Sequence, residues 1–408
     1  MALSSSTKEH LFLHDSTGEI DNSFVGLKII GDDIHIYHPE CYSLNIDSSD
    51  FATEVLNLLQ TFSLTKSLSE DKGLSYAGDS DGEFHIEAYI WIIADFLRNG
   101  FFINQEKKYV LNQNGRVNWK RTLHQQPLVS NGNVVYKDIV VEKRVDTDDT
   151  LLRIHKYCVK KSLDFIGWLF GMDSSFIESD SVSEELKDFY NYVLQKELNT
   201  TFDDRKKELL SNMIIVLNGL NDYDSEKIIS YGVDQYHPVF EKLVDYLFSN
   251  IDIAEFYPKG RWKLIYRDDE IDSSNLRPDT VLIKDDKIYI LDSKYYRYGY
   301  TADESDLPET SSIQKQIAYG EYAEKTHKGK EVYNAFIMPY DKNRDTRFQS
   351  NETLQYIGSA YSTASMTDKT YNKIHAFLID LKYLISSFNK YQKDSQIITK
   401  LVKEIEAQ

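Results

Sequence analysis

The stretch RPDTVLIKDDKIYILDSK, residues 277–294, decides the fold of the second half of the chain. Its two apolar runs, residues 280–283 and 288–291, are separated by polar residues centred on Asp285-Asp286, which is typical of a β-hairpin. If the two strands fold back symmetrically, residue 284 pairs with 287, and Asp279 comes to face Asp292. A two-residue and a four-residue loop give the same register, so the prediction requires only a hairpin without a bulge.

The facing pair Asp279 and Asp292 predicts a cation site. Opposed side chains in an antiparallel pair have Cβ atoms about 4.5–5.5 Å apart, and like charges there repel. A divalent cation offsets such repulsion, and Mg²⁺ prefers hard oxygen ligands. Lys294 shares the strand face of Asp292, because side chains two residues apart point the same way. An ammonium beside a metal-held water suits the hydrolysis of a phosphodiester.

A third acidic residue, Glu241, lies near the start of a predicted helix that opens at His237 and Pro238. Apolar residues at three- and four-residue intervals predict that one stripe of this helix is buried. Glu241 is therefore either a third oxygen ligand or an exposed glutamate that interacts favourably with the helix dipole. Asp and Lys two residues apart also occur on ordinary solvated strands. The apolar run before each aspartate and the opposed register favour a site.

The rest of the chain predicts a mixed α+β or α/β protein. Residues 24–44 are typical of a hairpin broken at Gly31-Asp32-Asp33, whereas residues 86–97 and 150–170 have helical spacing. Polar helices are expected to continue to about residue 230. We expect a β-rich region over residues 1–145, a helical connection over 146–230 and the unit with the candidate site over 231–408.

Composition narrows the class of protein. The 408 residues contain 65 acidic and 47 basic side chains, giving a net charge of -18, which does not favour unaided binding to a phosphate backbone. Two cysteines are too few for a disulfide framework, and no apolar run is long enough to span a membrane, so a cytoplasmic protein is expected. No GxxxxGK[ST] motif occurs, so this chain alone is not expected to bind a nucleotide.

Several segments carry a family resemblance. Pro278-Asp279 with Asp292-Ser293-Lys294 resembles the PD-(D/E)xK nuclease motif. The surrounding sequence is similar to that of restriction endonucleases of the LlaJI family. More loosely, it resembles McrC-type subunits, the nuclease partners of McrB-type GTPases of the AAA+ class. The matching segments are YILDSKYYRYG, KQIAYGEY, YNAFIMPY, GRVNWKRT and IHKYCVKKSLDFIGWLFG, so the resemblance covers most of the chain.

The resemblance implies a restriction-endonuclease-like core, a mixed sheet flanked by helices, in residues 231–408. It implies that Asp279 and Asp292 bind Mg²⁺, for which Mn²⁺ substitutes, and that Lys294 is catalytic. Glu241 would be the acidic residue of the first core helix. Gln316 matches the Gln that follows the core strands in such nucleases and often lies near the metal or the DNA. Ser293 departs from the usual small or apolar central residue, which contributes mainly backbone.

The implied function is that of a Mg²⁺-dependent endonuclease subunit of a restriction system for phage defence. It would cut double-stranded DNA together with an McrB-like AAA+ GTPase that supplies recognition and translocation. The N-terminal part would dock on that GTPase, or else only support the fold. Two alternatives remain open, a self-sufficient type II restriction endonuclease and a non-catalytic stimulator of the GTPase. Within GRVNWKRT we expect Trp119 to be a packed anchor, with Arg121 reaching a partner's nucleotide pocket as the alternative.

Overall fold

The computed structural model describes residues 9–16, 23–30, 33–68, 76–77, 85–103, 105–130, 133–146, 149–179, 182–219, 228–344, 348, 352–364 and 368–408. Contacts group the chain into two compact units. The larger unit combines Met1–Phe84 with Tyr223–Gln408, and the smaller one is His85–Asp222. The division by role into residues 1–145, 146–230 and 231–408 stays a prediction.

Seventeen strands are present in the described residues. In chain order they are β1 (Leu11–Ser16), β2 (Val25–Ile30), β3 (Asp33–Pro39), β4 (Tyr76–Ala77), β5 (Gln105–Leu111), β6 (Arg116–Val117), β7 (Pro127–Ser130), β8 (Asn133–Tyr136), β9 (Val140–Asp146), β10 (Ile228–Val233), β11 (Lys259–Lys263), β12 (Glu270–Asn275), β13 (Thr280–Lys284), β14 (Lys287–Ser293), β15 (Val332–Tyr340), β16 (Leu354–Ala360) and β17 (Ile374–Asp380).

The α-helices of the same part of the chain number eleven. They are α1 (Phe51–Leu68), α2 (Ile86–Asn99), α3 (Trp119–Thr122), α4 (Asp149–Ile166), α5 (Glu184–Thr200), α6 (Asp204–Asn218), α7 (His237–Phe248), α8 (Tyr298–Thr301), α9 (Thr310–Thr326), α10 (Leu381–Asn389) and α11 (Ser395–Ala407). The mixed α+β class is therefore confirmed.

The first sheet of the larger unit has the strand order β1-β3-β2-β10-β4. Strands β2 and β3 pair as the predicted hairpin, with Ile30 opposite Asp33; residues 31 and 32 of its turn lie outside the described residues. The polar helices predicted up to about residue 230 are present as α5 and α6, the latter ending at Asn218, and strand β10, which pairs with β2, begins at Ile228. Gly26 and Gly232 face each other there, and a Cβ on Gly26 would lie 2.2 Å from the Tyr231 carbonyl oxygen.

The second sheet of the larger unit is mixed and has the order β13-β14-β15-β17-β16. Strands β14, β15 and β17 run parallel, and an antiparallel strand lies at each edge. Helices α7 and α9 pack on this sheet. Alternate strand residues, among them Val281, Ile290 and Phe336, form an apolar cluster with residues of α9, including Ile317 and Ala323.

The hairpin formed by β13 and β14 has the predicted register. Lys284 pairs with Lys287, Ile283 with Ile288, and the ladder continues without a bulge to Thr280 and Leu291. Asp285 and Asp286 form the two-residue turn with φ of 49° and 63°. Positive φ at both positions is the requirement of a type I′ turn, and aspartate tolerates it better than most residues.

The smaller unit packs α2, α4, α5 and α6 together and carries the short sheet β5-β9-β6 and the hairpin of β7 and β8. Trp119 is 63% exposed, so the prediction that it is a packed anchor is wrong. It begins the one-turn helix α3, in which the buried side chain is that of Thr122. The neighbouring Arg121 guanidinium lies 3.8 Å from the ring centre of Tyr109.

None of the described helices is long and apolar enough to cross a membrane.

Candidate active site

The two predicted aspartates meet at the open end of the hairpin. Asp292 lies near the end of β14 and is 2% exposed, whereas Asp279 precedes β13 by one residue. The backbone N–H of Ser293 donates a hydrogen bond of 2.8 Å to Asp279 Oδ2. This bond extends the contact between the strands beyond the pair Thr280 and Leu291. The hairpin therefore holds one carboxyl group against the backbone that carries the other.

Lys294 lies beside Asp292, as the two-residue spacing predicts. Its Nζ is 2.5 Å from Asp292 Oδ2, and its backbone N–H donates to the Ile337 carbonyl of β15 at 2.8 Å. Burial alone would lower the pKa of Lys294, but the charge of Asp292 and the hydrogen bond to it outweigh burial and raise that pKa. Lys294 therefore remains cationic at neutral pH.

Glu241 belongs to the same cluster of charges. It lies on α7, is half-buried, and burial followed by the charge of Asp292 raises its pKa, whereas Lys294 and Lys315 oppose that shift. A glutamate on a solvated helix face would not be affected in this way. Glu241 therefore interacts electrostatically with Asp292, whereas its role as a third oxygen ligand stays a prediction.

Asp279 has the most perturbed carboxyl group of the cluster. Burial, and then the charges of Asp292 and Glu241, raise its pKa to about 8, although the Ser293 N–H and Lys294 act in the opposite direction. The ammonium of Lys294 thus acts on all three carboxyl groups, and that of Lys315 acts on Glu241 as well. Titratable groups with strongly shifted pKa values are concentrated at functional sites.

The donor set of this cluster consists of carboxylate oxygens, which suit a hard cation such as Mg²⁺. Among the residues that the structure describes, no three His, Cys, Asp or Glu side chains are arranged so as to hold a metal ion by themselves. Mg²⁺ commonly uses one or two protein carboxylates and keeps several waters. The pair Asp279 and Asp292 therefore fits the ion without a third protein ligand.

Gln316, on α9, is buried and tied to the sheet. Its Nε2 donates to the Ile290 carbonyl at 2.9 Å and to Asn334 Oδ1 at 3.2 Å, and Asn334 Nδ2 donates back to the Gln316 carbonyl at 2.9 Å. These bonds fix α9 to β14, the strand of Asp292. The predicted place of Gln316 near metal or DNA stays a prediction.

One residue of the cluster, Tyr319, was not predicted. Its hydroxyl donates to the Arg277 carbonyl at 2.6 Å, and burial, followed by the charges of Asp292 and Asp279, raises its pKa. Tyr319 follows Gln316 by three residues, so the two share one face of α9. From the sequence, the three-residue spacing after Gln316 was the pattern that could have predicted Tyr319.

A buried cluster of acidic groups and a lysine lies at the end of a hairpin in a mixed α+β fold, and such clusters are concentrated at functional sites. The chain belongs to the LlaJI restriction endonuclease family, which matches residues 24–400. The family predicted from the sequence is thereby confirmed.

Two known proteins are similar to this chain. Type II restriction enzyme BsuMI component YdjA of Bacillus subtilis (strain 168) is 23% identical over 416 residues, covering 95% of this chain and 89% of that protein. A chain of the refined half-complex from the tetradecameric assembly of Thermococcus gammatolerans McrB AAA+ hexamers with bound McrC is 13% identical. That match has a TM-score of 0.37 and covers 90% of this chain and 83% of the other.

Proposed function

We propose that this chain is the DNA-cutting subunit of a restriction system and hydrolyses phosphodiester bonds of double-stranded DNA with Mg²⁺. One observation carries the proposal. Lys294 Nζ lies 2.5 Å from the buried carboxylate of Asp292, and the backbone N–H of Ser293, the residue between them, donates a hydrogen bond to Asp279. Membership of a restriction endonuclease family supports the same reaction.

We assign the second sheet of the larger unit to a PD-(D/E)xK nuclease core. Support comes from the order of the elements along the chain. Helix α7, with Glu241, precedes the hairpin that carries the two aspartates, and Lys294 follows Asp292 by two residues. The hairpin leads into parallel strands, and α9 packs across them.

Asp279 and Asp292 would hold Mg²⁺, with Glu241 available through a water. The ion would supply positive charge to a phosphate oxygen and lower the pKa of a bound water. Lys294, held cationic by Asp292, would offset the negative charge that develops on the phosphate in the transition state. No covalent intermediate on the protein is required.

We infer that the partner is an McrB-like AAA+ GTPase that supplies DNA recognition. The net charge of -18 supports a separate DNA-binding chain, and the Bacillus relative is described as a component of its enzyme. The β7–β8 hairpin of the smaller unit exposes four apolar side chains by 55–70%, and such exposure is typical of a protein-docking surface. They are Leu128, Val129, Val134 and Val135.

The test is to incubate plasmid DNA with the chain, with and without its co-purified partner, in the presence or absence of Mg²⁺ and GTP. We expect cleavage only when all components are present, and its loss in Asp292→Ala and Lys294→Ala variants that melt as the unmodified protein does. Lys403→Ala, an exposed lysine on α11, is the matched control. Undiminished cleavage by Lys294→Ala would overturn the proposed mechanism.

The same experiment tests both alternatives. Cleavage by the isolated chain without GTP would assign it as a self-sufficient type II enzyme. Stimulation of the partner's GTP hydrolysis without any DNA cleavage would assign it as a non-catalytic regulator.

A further inference from the structure

Residues 259–267, KGRWKLIYR, stand out from an acidic chain. They contain four cationic residues and no acidic residue, whereas residues 268–272, which complete the loop and begin β12, contain four acidic residues, and Arg267 forms an ion pair with Asp269 at 3.0 Å. The segment forms β11 and the start of the loop to β12, and these two strands make a separate two-stranded ribbon. Cationic and aromatic residues interleaved in this way are typical of nucleic-acid contacts.

The ribbon exposes large apolar side chains. All five residues of β11 are exposed, and Trp262 keeps 64% of its surface in solvent. Ile265 and Tyr266 in the loop are 105% and 82% exposed. Scattered single exposed apolar residues are ordinary, but three within five positions form a continuous surface that points to a binding partner.

Strand β11 carries three cations, Lys259, Arg261 and Lys263. Arg261 and Lys263 share one strand face by the period of two, whereas the pairing with β12 shifts register between Lys259 and Arg261. Arg261 forms ion pairs with Asp272 at 3.1 Å and Glu270 at 3.4 Å on β12. Neither Lys259 nor Lys263 forms an ion pair with a described residue. Two ammonium groups of the ribbon are therefore available to an anionic ligand.

The base of the ribbon adjoins the candidate active site. Strand β12 ends at Asn275, four residues before Asp279, and the Leu276 N–H donates to the Pro258 carbonyl at 3.0 Å to close the base. The next residue, Arg277, accepts the hydrogen bond of Tyr319. A ligand on the ribbon would thus extend from the cluster of carboxyl groups.

We propose that the β11–β12 ribbon binds duplex DNA next to the bond that the site cuts, which rests on the proposed function. The major groove admits a two-stranded ribbon. Lys259 and Lys263 contact backbone phosphates, and Trp262 with the loop residues Ile265 and Tyr266 packs against bases and sugars. Phosphate contacts fix the position of a protein on DNA, and apolar contacts with the base edges in the groove add to them.

The experiment measures binding of the full chain to a fluorescein-labelled 30-base-pair duplex by anisotropy, with Ca²⁺ in place of Mg²⁺ and at salt from about 25 to 200 mM. Lys259→Ala with Lys263→Ala should make the slope of log K against log salt shallower by about 2, because each phosphate contact contributes about 0.9. Trp262→Ala, and separately Ile265→Ser with Tyr266→Ser, should weaken binding about tenfold at constant salt.

Matched controls are Phe202→Ala in the smaller unit, 91% exposed, and Lys403→Ala on α11. Both should bind as the unmodified chain does, and all variants should keep its melting temperature. Unchanged affinity and salt slope in the ribbon variants, or no binding by the unmodified chain at about 25 mM salt, would overturn the ribbon proposal. Neither result bears on cleavage by the complex, which tests the proposed function separately. Loss of the co-purified partner with unchanged DNA affinity would assign the ribbon to protein docking and would also overturn the proposal.

Discussion

The guanidinium of Arg297 is held by the carboxylate of Glu40 through two hydrogen bonds, from Nε and Nη2, each of 2.8 Å. Glu40 follows β3 of the first sheet and is 7% exposed, whereas Arg297 follows Lys294 by three residues. The bidentate geometry is the strong form of a charge-assisted pair. It connects the N-terminal sheet of the larger unit to the segment that carries the candidate catalytic lysine.

Replacing Glu40 with Gln should therefore destabilise the protein. The substitution removes the charge and leaves one donor of Arg297 without an acceptor, so we expect the free energy of unfolding to fall by about 2 kcal/mol. Urea unfolding followed by fluorescence measures the change. Lys325→Ala breaks the exposed pair with Glu321 and should change the free energy by less than about 0.5 kcal/mol. Equal effects of the two substitutions would contradict a special role of the Glu40 pair.

The stability of the metal-free protein should depend on Asp279 in a defined pH range. The pKa of Asp279 is about 8 in the folded protein and about 3.9 in an unfolded chain, so the folded state binds the proton more tightly. Its contribution is favourable below about pH 4 and is lost as pH rises towards about 8. Asp279→Asn should therefore raise the melting temperature of the chelator-treated protein more at pH 8 than at pH 5, by about 2–4 °C per kcal/mol.

The control for that experiment is Glu304→Gln, which changes an exposed carboxyl group of the same unit. Its effect on the melting temperature should be the same at both pH values. If Asp279→Asn also changed the melting temperature equally at pH 5 and pH 8, Asp279 would ionise normally in the folded state.

Divalent ions should bind with release of a proton. A metal ligand must be deprotonated, and Asp279, with its pKa of about 8, is largely protonated at neutral pH in the metal-free protein. We expect Mn²⁺ affinity to rise as pH increases from 6 to 8, by about tenfold per pH unit well below the pKa. Titration calorimetry in two buffers of different ionisation enthalpy measures the proton count. An affinity independent of pH would rule out Asp279 as the proton source.

Gln316→Ala should affect stability before activity. The substitution removes the donor to the Ile290 carbonyl inside the sheet, and we expect a loss of about 1–3 kcal/mol in the free energy of unfolding. Cleavage by the folded fraction of this variant should fall far less than cleavage by Lys294→Ala. The plasmid assay at low temperature measures both. Loss of cleavage with normal stability would instead support the place near metal or DNA that the resemblance implies.

The hairpin of the candidate site was predictable because its determinants are local. The alternation of apolar residues and the Asp285-Asp286 turn fix which residues of two adjacent strands meet, and the ladder from Thr280 to Lys284 has that register. The spacing of Asp292 and Lys294 likewise follows from the period of a strand.

Other features depend on contacts between residues far apart in the sequence. Strand β10 joins a sheet whose other strands lie before residue 80, and the partner of Arg297 lies 257 residues earlier. Neither pairing leaves a local pattern. Trp119 was misjudged for the same reason, since burial depends on which elements pack against a residue and not on its type alone.

The turn at Asp285 and Asp286 has a fixed length of two residues, because Lys284 and Lys287 on either side of it are already paired. A single residue added to or removed from it would shift one strand by a step, and side chains that now face one way would face the other. The identity of the two turn residues is open to substitution by asparagine or glycine, but their number is not. Substitutions that accumulate at this turn should therefore change its amino acids while its length of two residues is preserved.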